Sequence, residues 1–276
     1  VIALLESPAV TVPSGDEPRS IDELTECVSA SRISTWQQCR LKFFFRYVLG
    51  LRKRKSAALH LGSCVHETLK FWNRARWRNE PASVPELQAA YSSAWTAAQE
   101  TNPAEWEEGK EDEQKALGWR LLETYFRDSP IPADEKVEAV EVSVEADLQH
   151  HGLPTLIGII DLVRQGGRIV DFKSSGRTPD PEKAPHLNET QLTAYSILYR
   201  NATGRVESAI ELHHLIKTKV AKLVVTQMDP ATEAQKTRLL RVIESYTNGL
   251  QRADWIPSPG IQCSSCEFFN ECRAWR

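Results

Sequence analysis

The chain has 276 residues, 41% of them hydrophobic and 26% charged, enough for one large domain or two small ones around a proper core. Its net charge of -3 argues against a generic binder of polyanions, and no apolar run approaches the roughly 20 residues that span a bilayer. The start, VIALLESPAV, has no basic n-region and soon meets Glu6 and Pro8, so no export signal is read, and a cytoplasmic protein without membrane contact is expected.

Residues 1–30 hold three prolines and no clear period, which predicts a loose N-terminal arm. A first helix is expected from Ser34, a good N-cap, through TWQQCRLKFFFRYV. A second is expected after Gly62-Ser63, with Val65, Leu69, Trp72 and Ala75 on one stripe. Ser83-Val84-Pro85-Glu86 reads as a capping box with Pro in the first turn, opening a helix to about Gln99. A fourth helix is expected over 105–128, with Leu117, Leu121, Tyr125 and Phe126 inward.

The period then changes. VEAVEVSVEADL alternates apolar and charged residues and reads as a strand. LIGIIDLVR and RIVDFKSS follow, joined by the hairpin signal Gln165-Gly166-Gly167. ETQLTAYSILYRN reads as a helix, VESAIELHHLIK and AKLVVTQ as two strands, and 231–251 as a long helix. The end, CSSCEFFNECRAWR, is too short and too rich in cysteine to fold on apolar burial alone.

Charge is segregated along the chain. Arg32, Arg40, Lys42, Arg46, Arg52, Lys53, Arg54 and Lys55 lie between Cys27 and His66 with no acid among them, whereas sixteen acids face five bases from Glu80 to Glu145. This predicts one basic, phosphate-facing side. Phe43, Phe44, Phe45 and Tyr47 interleave with these bases. Such aromatics can stack unpaired nucleotides, although most are expected in the core, with the basic run guiding a DNA strand. The acidic helices would face away from DNA or line an exit that repels it.

Chemistry is concentrated at the hairpin. Asp161 closes the apolar run of one strand and Asp171 that of the next, and adjacent strands lie about 4.8 Å apart. Converging carboxylates repel unless a cation sits between them. Hard Mg2+ or Mn2+ takes such oxygen ligands and activates water beside a phosphoryl group. Lys173 stands two residues from Asp171, on the same face, where it can hold or deprotonate that water. The bland alternative is a surface salt bridge. Glu141, on the preceding strand, either helps through water or faces solvent.

The six cysteines are Cys27, Cys39, Cys64, Cys263, Cys266 and Cys272. Cys263, Cys266 and Cys272 have ligand spacing, and Cys39 is the candidate for the fourth place. Spacing alone does not separate zinc from an iron–sulfur centre. Cys27 and Cys64 have no matching partners, and Cys64 reads as a small packing residue.

Gly158 before Asp161, the hairpin, VDFKSS and then QLTAY form an ordered set that resembles the PD-(D/E)XK nuclease superfamily, and within it the RecB-like branch. Gly62, His66 and Leu69 fit that branch's G-x-x-x-H-x-x-L context. The resemblance implies an α/β restriction-endonuclease-like core: a central mixed sheet flanked by helices, with a helical insertion at about 80–130 and a C-terminal iron–sulfur clasp. It implies that His66, Asp161, Asp171 and the Phe172 carbonyl bind the ion and that Lys173 orients the attacking water. Gln191 and Tyr195 match the branch's Q-x-x-x-Y motif and would contact DNA phosphate or steady Lys173; helix packing is their plainer role. RecB-like nucleases with an iron–sulfur staple, the AddB nuclease domain and the CRISPR-associated adaptation nuclease among them, carry one Cys upstream of the His and three near the C-terminus. Ser31, Ser34, Cys39, Phe43 and Arg46 match the upstream context. By that resemblance Cys39, Cys263, Cys266 and Cys272 hold a [4Fe–4S] cluster.

The expected organisation is an arm over 1–30 and a nuclease domain over 31–276, with a catalytic core at about 136–227 and a cluster-binding segment at 261–276. The expected activity is a metal-dependent DNA exonuclease acting from free or single-stranded ends, in DNA repair and recombination or phage DNA processing. Two alternatives stand: a CRISPR adaptation nuclease that trims captured DNA beside an integrase partner, and a DNA-end-binding subunit of a helicase–nuclease.

Overall fold

A computed structural model describes residues 18–132 and 134–275. Six strands form one mixed sheet: β1 (Cys27–Ser29), β2 (Ala139–Ala146), β3 (Thr155–Arg164), β4 (Arg168–Ser175), β5 (Ala209–Ile216) and β6 (Lys222–Met228). β2 runs antiparallel to β3, and β1 pairs in parallel with the start of β3. β4 is antiparallel to β3 and parallel to β5, and β6 closes the edge antiparallel to β5. The turn between β3 and β4 needs positive φ at two successive residues, and Gly166 (79°) and Gly167 (76°) supply it.

One face carries α1 (Ile21–Glu26), α2 (Ala30–Gln38), α8 (Glu189–Thr203) and α9 (Glu233–Gln251). Its core joins Leu24, Ile33 and Trp36 to Leu198, Tyr199, Ile243 and Tyr246. The other face carries α4 (Ala57–Trp77), α5 (Val84–Thr101) and α6 (Lys110–Asp128), packed through Leu69, Tyr91, Trp95, Leu121 and Tyr125 onto Val170, Phe172 and Leu215. Burial of each such side chain contributes about 1.5–3 kcal/mol. α7 (Ala184–Leu187) lies in the link from β4 to α8, so a helical crossover joins parallel neighbours β4 and β5. The protein is thus α/β, with a mixed central sheet flanked by helices. Among the described residues no helix is long and apolar enough to cross a membrane.

Several expected boundaries shift. Residues 1–17 of the expected arm lie outside the described residues, but 18–30 are structured: Ser20 and Glu23 form a capping box for α1, and β1 joins the sheet. The helix expected from Ser34 starts at Ala30 under Ser29 and stops at Gln38. Cys39 is extended there (φ -168°) and caps the short α3 (Arg40–Phe43), which runs on into a π-helical turn over Phe44–Val48. α4 begins at Ala57 under Ser56, so Gly62 and Ser63 are interior. Gly62 is small because the helix passes close to β4: a Cβ there would lie 3.2 Å from Ser174 Oγ. The capping boxes at Ser83 and Thr232 open α5 and α9.

The clasp carries a third, small core. Leu41, Phe45 and Phe268 are buried there, with Cys39, Cys266, Cys272 and Trp255 packed around them.

Candidate metal centre and active site

β3 and β4 pair at Arg164–Arg168, Val163–Ile169 and Leu162–Val170, and there the ladder ends. The next residues outward are Asp161 and Asp171, so both carboxylates stand where the strands part. Asp161 Oδ2 accepts the Phe172 backbone N–H at 3.0 Å, taking the place of a ladder bond and fixing the parting.

Across β3, Glu141 lies on β2 between two regular pairs, Val140–Leu162 and Val142–Ile160. Its φ is 49°, a left-handed conformation that costs a residue with a side chain roughly 1–2 kcal/mol. His66 reaches in from α4, with Nδ1 3.6 Å from Asp161 Oδ2, and its ring stands edge-on to Phe172. One ligand atom each from His66, Glu141 and Asp161 lies within 4.8 Å of the other two. This is the donor set of a hard divalent cation: two carboxylates and an imidazole.

In this cluster burial and mutual repulsion outweigh the nearby cations. Burial, then the Asp171 charge, pushes Asp161 up to about 6. Burial, then the Asp161 charge, pushes Glu141 up to about 7. A cation between them would reverse both effects.

Asp171, 1% exposed, belongs to a second, adjoining arrangement. Its Oδ1 accepts Gln191 Nε2 at 2.9 Å and the Tyr195 hydroxyl at 3.4 Å. Gln191 Nε2 also reaches the Tyr195 oxygen at 2.8 Å, and Lys173 Nζ donates to Gln191 Oε1 at 2.7 Å. Lys173 Nζ is 2.8 Å from Asp171 Oδ2. That ion pair lies off the hydrogen-bonding direction, so the buried Oδ2 keeps no aligned donor. A buried carboxylate oxygen with a spare lone pair, beside the His66–Glu141–Asp161 trio, suits a cation ligand. Burial, then Asp171, raises the Tyr195 hydroxyl well above its ordinary value, so it remains a hydrogen-bond donor.

His66, Asp161, Asp171, Phe172, Lys173, Gln191 and Tyr195 therefore meet at one place. Two further residues belong beside them. Glu141, which alternation left between a helper and a solvent-facing residue, is mostly buried in the trio. His214 pairs with Lys173 across β4–β5, and its buried Nε2 has no partner. The HH of β5 gave no signal that one histidine would face Lys173. The other, His213, faces the opposite side and joins Tyr125, Glu211 and Arg164 in a buried network.

Cys39, Cys263, Cys266 and Cys272 line one cavity of about 50 Å³. Cys272 is raised by burial, then by the neighbouring Cys39, Cys263 and Cys266. Cys64 is buried elsewhere, its thiol pushed up to about 11 by burial, and Cys27 lies 3.7 Å from Arg32 Nη1.

The basic run is not the free phosphate-facing side expected of it. Arg40 pairs with Asp254, Lys42 and Arg46 with Glu267, Lys53 with Glu271, and Arg54 with Glu105. Phe43, Phe45 and Tyr47 are buried. These cations mostly bind the clasp to the N-terminal helices, because acids distant in sequence come to face them.

The sequence profile of the PD-(D/E)XK nuclease superfamily matches residues 27–273, and the chain belongs to that superfamily. A crystal structure of a candidate exonuclease from Eubacterium rectale superposes with a TM-score of 0.58 at 13% identity, over 97% of this chain and 94% of that one. This likeness shows the shared fold. The structure of SSO0001 aligns at a TM-score of 0.37 and 15% identity, over 88% of this chain and 95% of that one, too low to carry an argument. No curated protein matches the sequence.

Proposed function

We propose that this member of the PD-(D/E)XK nuclease superfamily is a divalent-metal-dependent deoxyribonuclease of the RecB-like kind, acting as an exonuclease on free or single-stranded DNA ends. The observation that carries the reading is the His66–Glu141–Asp161 trio directly beside the Asp171–Lys173 pair. His66, Asp161, Asp171 and the Phe172 carbonyl would hold Mg2+ or Mn2+, with Glu141 as a further oxygen ligand. When bound, the ion supplies Lewis acidity toward a phosphoryl oxygen and lowers the pKa of water.

The chain's own residues do the rest. Lys173 Nζ, aimed by Gln191 Oε1 and Asp171 Oδ2, holds the attacking water. Gln191 and Tyr195 fix the Asp171 carboxylate by direct hydrogen bonds, so Lys173 and Asp171 need no reorganisation. The water oxygen forms the new bond to phosphorus as its proton passes to solvent, the bond to the leaving oxygen breaks, and that oxygen takes up a proton from solvent.

Cys39, Cys263, Cys266 and Cys272 would hold a [4Fe–4S] staple. Their shared cavity supports this. So does the mutual influence of the four sulfurs, since Cys39, Cys263 and Cys266 all act electrostatically on Cys272.

The test is cleavage of end-labelled single- and double-stranded DNA by anaerobically purified protein with Mg2+, Mn2+ or EDTA, beside Asp171→Ala. Metal-dependent release of label, absent in the variant, is expected. An iron-loaded protein that binds DNA ends but cuts no substrate with either metal would refute the enzyme reading and favour a DNA-end-binding subunit.

A further inference from the structure

α4 carries His66 into the metal trio, and its next positions on that side are Lys70, Arg74 and Arg78. Four residues of helix rise about 6 Å, so three cations follow the candidate site at regular steps along one stripe. Phe71, 42% exposed, stands among them. Together with Pro81 from the α4–α5 link and Glu86 from the first turn of α5 they line an open groove of about 570 Å³.

The groove begins at the site. Lys70 and Arg74 both act electrostatically on Glu141. Lys70 pairs with Glu67 at 3.2 Å. Among the described residues neither Arg74 nor Arg78 forms a salt bridge, in contrast to the arginines of the clasp. The acids of the groove are partly committed already, Glu67 to Lys70 and Glu86 to the Ser83 cap; Glu80 follows the helix end. Exposed arginines without salt bridges, placed at a regular spacing around an exposed aromatic ring, match a polyanion that carries flat bases. They do not match an apolar peptide.

We propose that this groove binds the single strand of DNA adjoining the scissile phosphate, with successive phosphates on Arg74 and Arg78 and a base stacked on Phe71. The proposal rests on the nuclease reading for its substrate class. It places the strand on α4 and not on the basic run of residues 40–55, whose charges are largely neutralised within the protein. An extended single strand can follow a helix stripe.

The experiment measures binding of a fluorescein-labelled oligothymidylate in EDTA, where no cleavage occurs, as a function of salt. Arg74→Glu with Arg78→Glu is expected to weaken binding about tenfold or more. The slope of log affinity against log salt should shrink by about 1.4, two phosphate contacts at about 0.7 each for a single strand. Phe71→Ala should weaken binding with the slope unchanged. Lys183→Glu with Arg241→Glu, an equal charge change elsewhere on the surface, should bind as wild type does. Circular dichroism verifies that each variant is folded.

Wild-type affinity and slope in the Arg74/Arg78 variant would overturn the groove, as would equal weakening in the control. A wild-type protein that does not bind the oligonucleotide would also overturn it. The nuclease reading fails separately: a protein that binds through α4 but cuts no DNA keeps the groove and loses the enzyme.

Discussion

Lys173 is held by a hydrogen bond to Gln191 Oε1 and by an off-axis ion pair with Asp171 Oδ2. Gln191 bridges both members of the pair, so each residue of this ring constrains the next. Lys173→Ala and Asp171→Asn are each expected to lower kcat by about 10²–10⁴-fold, with circular dichroism unchanged. Retained cleavage in either would remove the site. The two raised carboxyls make a separate prediction. Asp161 and Glu141 ionise at higher pH in the fold than in the unfolded chain. Their contribution therefore favours the metal-free fold below about pH 4 and is lost as pH rises through 6 and 7. Bound cation needs both ionised, so the rise in Tm on adding Mn2+ should be larger at pH 8 than at pH 5. An equal rise at both would show that these carboxylates are not ligands.

β2 and β3 together decide whether the trio forms. The left-handed turn of Glu141 bends an otherwise regular ladder and directs its carboxylate toward Asp161. Glu141→Gln is expected to leave the fold intact and to raise the Mn2+ concentration for half-maximal cleavage about tenfold or more; an unchanged requirement would mean that Glu141 is not a ligand. The β3–β4 turn is fixed as tightly. A Cβ on Gly167 would lie 2.2 Å from the buried Tyr199 hydroxyl, at a φ that already disfavours a side chain. Gly167→Ala should cost about 2 kcal/mol or more in denaturant unfolding. Gly158 lies on β3 where a Cβ would come 2.7 Å from Leu198 of α8. Its smallness lets α8 sit close enough to bring Gln191 and Tyr195 to Asp171.

Over the whole molecule, the two ends of the described chain meet at the clasp. Arg40, Lys42, Arg46 and Lys53 face Asp254, Glu267 and Glu271, and the four cysteines share the cavity beneath. A crosslink from residue 39 to residue 263 encloses most of the chain; by the chain-entropy argument for disulfides, a single closure of that length stabilises by roughly 5 kcal/mol. If the four cysteines hold the proposed cluster, Cys266→Ala should lose iron, measured by elemental analysis, and unfold at lower temperature. Full iron content in that variant would refute the cluster. Because exposed ion pairs are screened, the cluster-free variant should also lose Tm with added salt more steeply than wild type.

Much of this architecture was legible locally. Alternation over VEVSVEA and RIVDFKSS, the Gly166-Gly167 turn and the capping box at Ser83 act within a few residues, and the strands and helix formed where those signals stood. The order Gly158, Asp161, Asp171, Lys173, Gln191 and Tyr195 was legible through its resemblance to the PD-(D/E)XK nucleases; strand alternation and a helical turn set only which of these side chains share a face. Other features depended on partners far away in sequence. The break at Cys39, the pairing of residues 27–29 with β3, the inward turn of Glu141, the placing of His214 beside Lys173 and the pairing of the basic run with C-terminal acids were decided by tertiary contacts. The reason is range: periodicity and capping report interactions within about one or two turns, whereas burial, ion pairing and the field at a carboxylate depend on whatever the fold brings within a few ångströms.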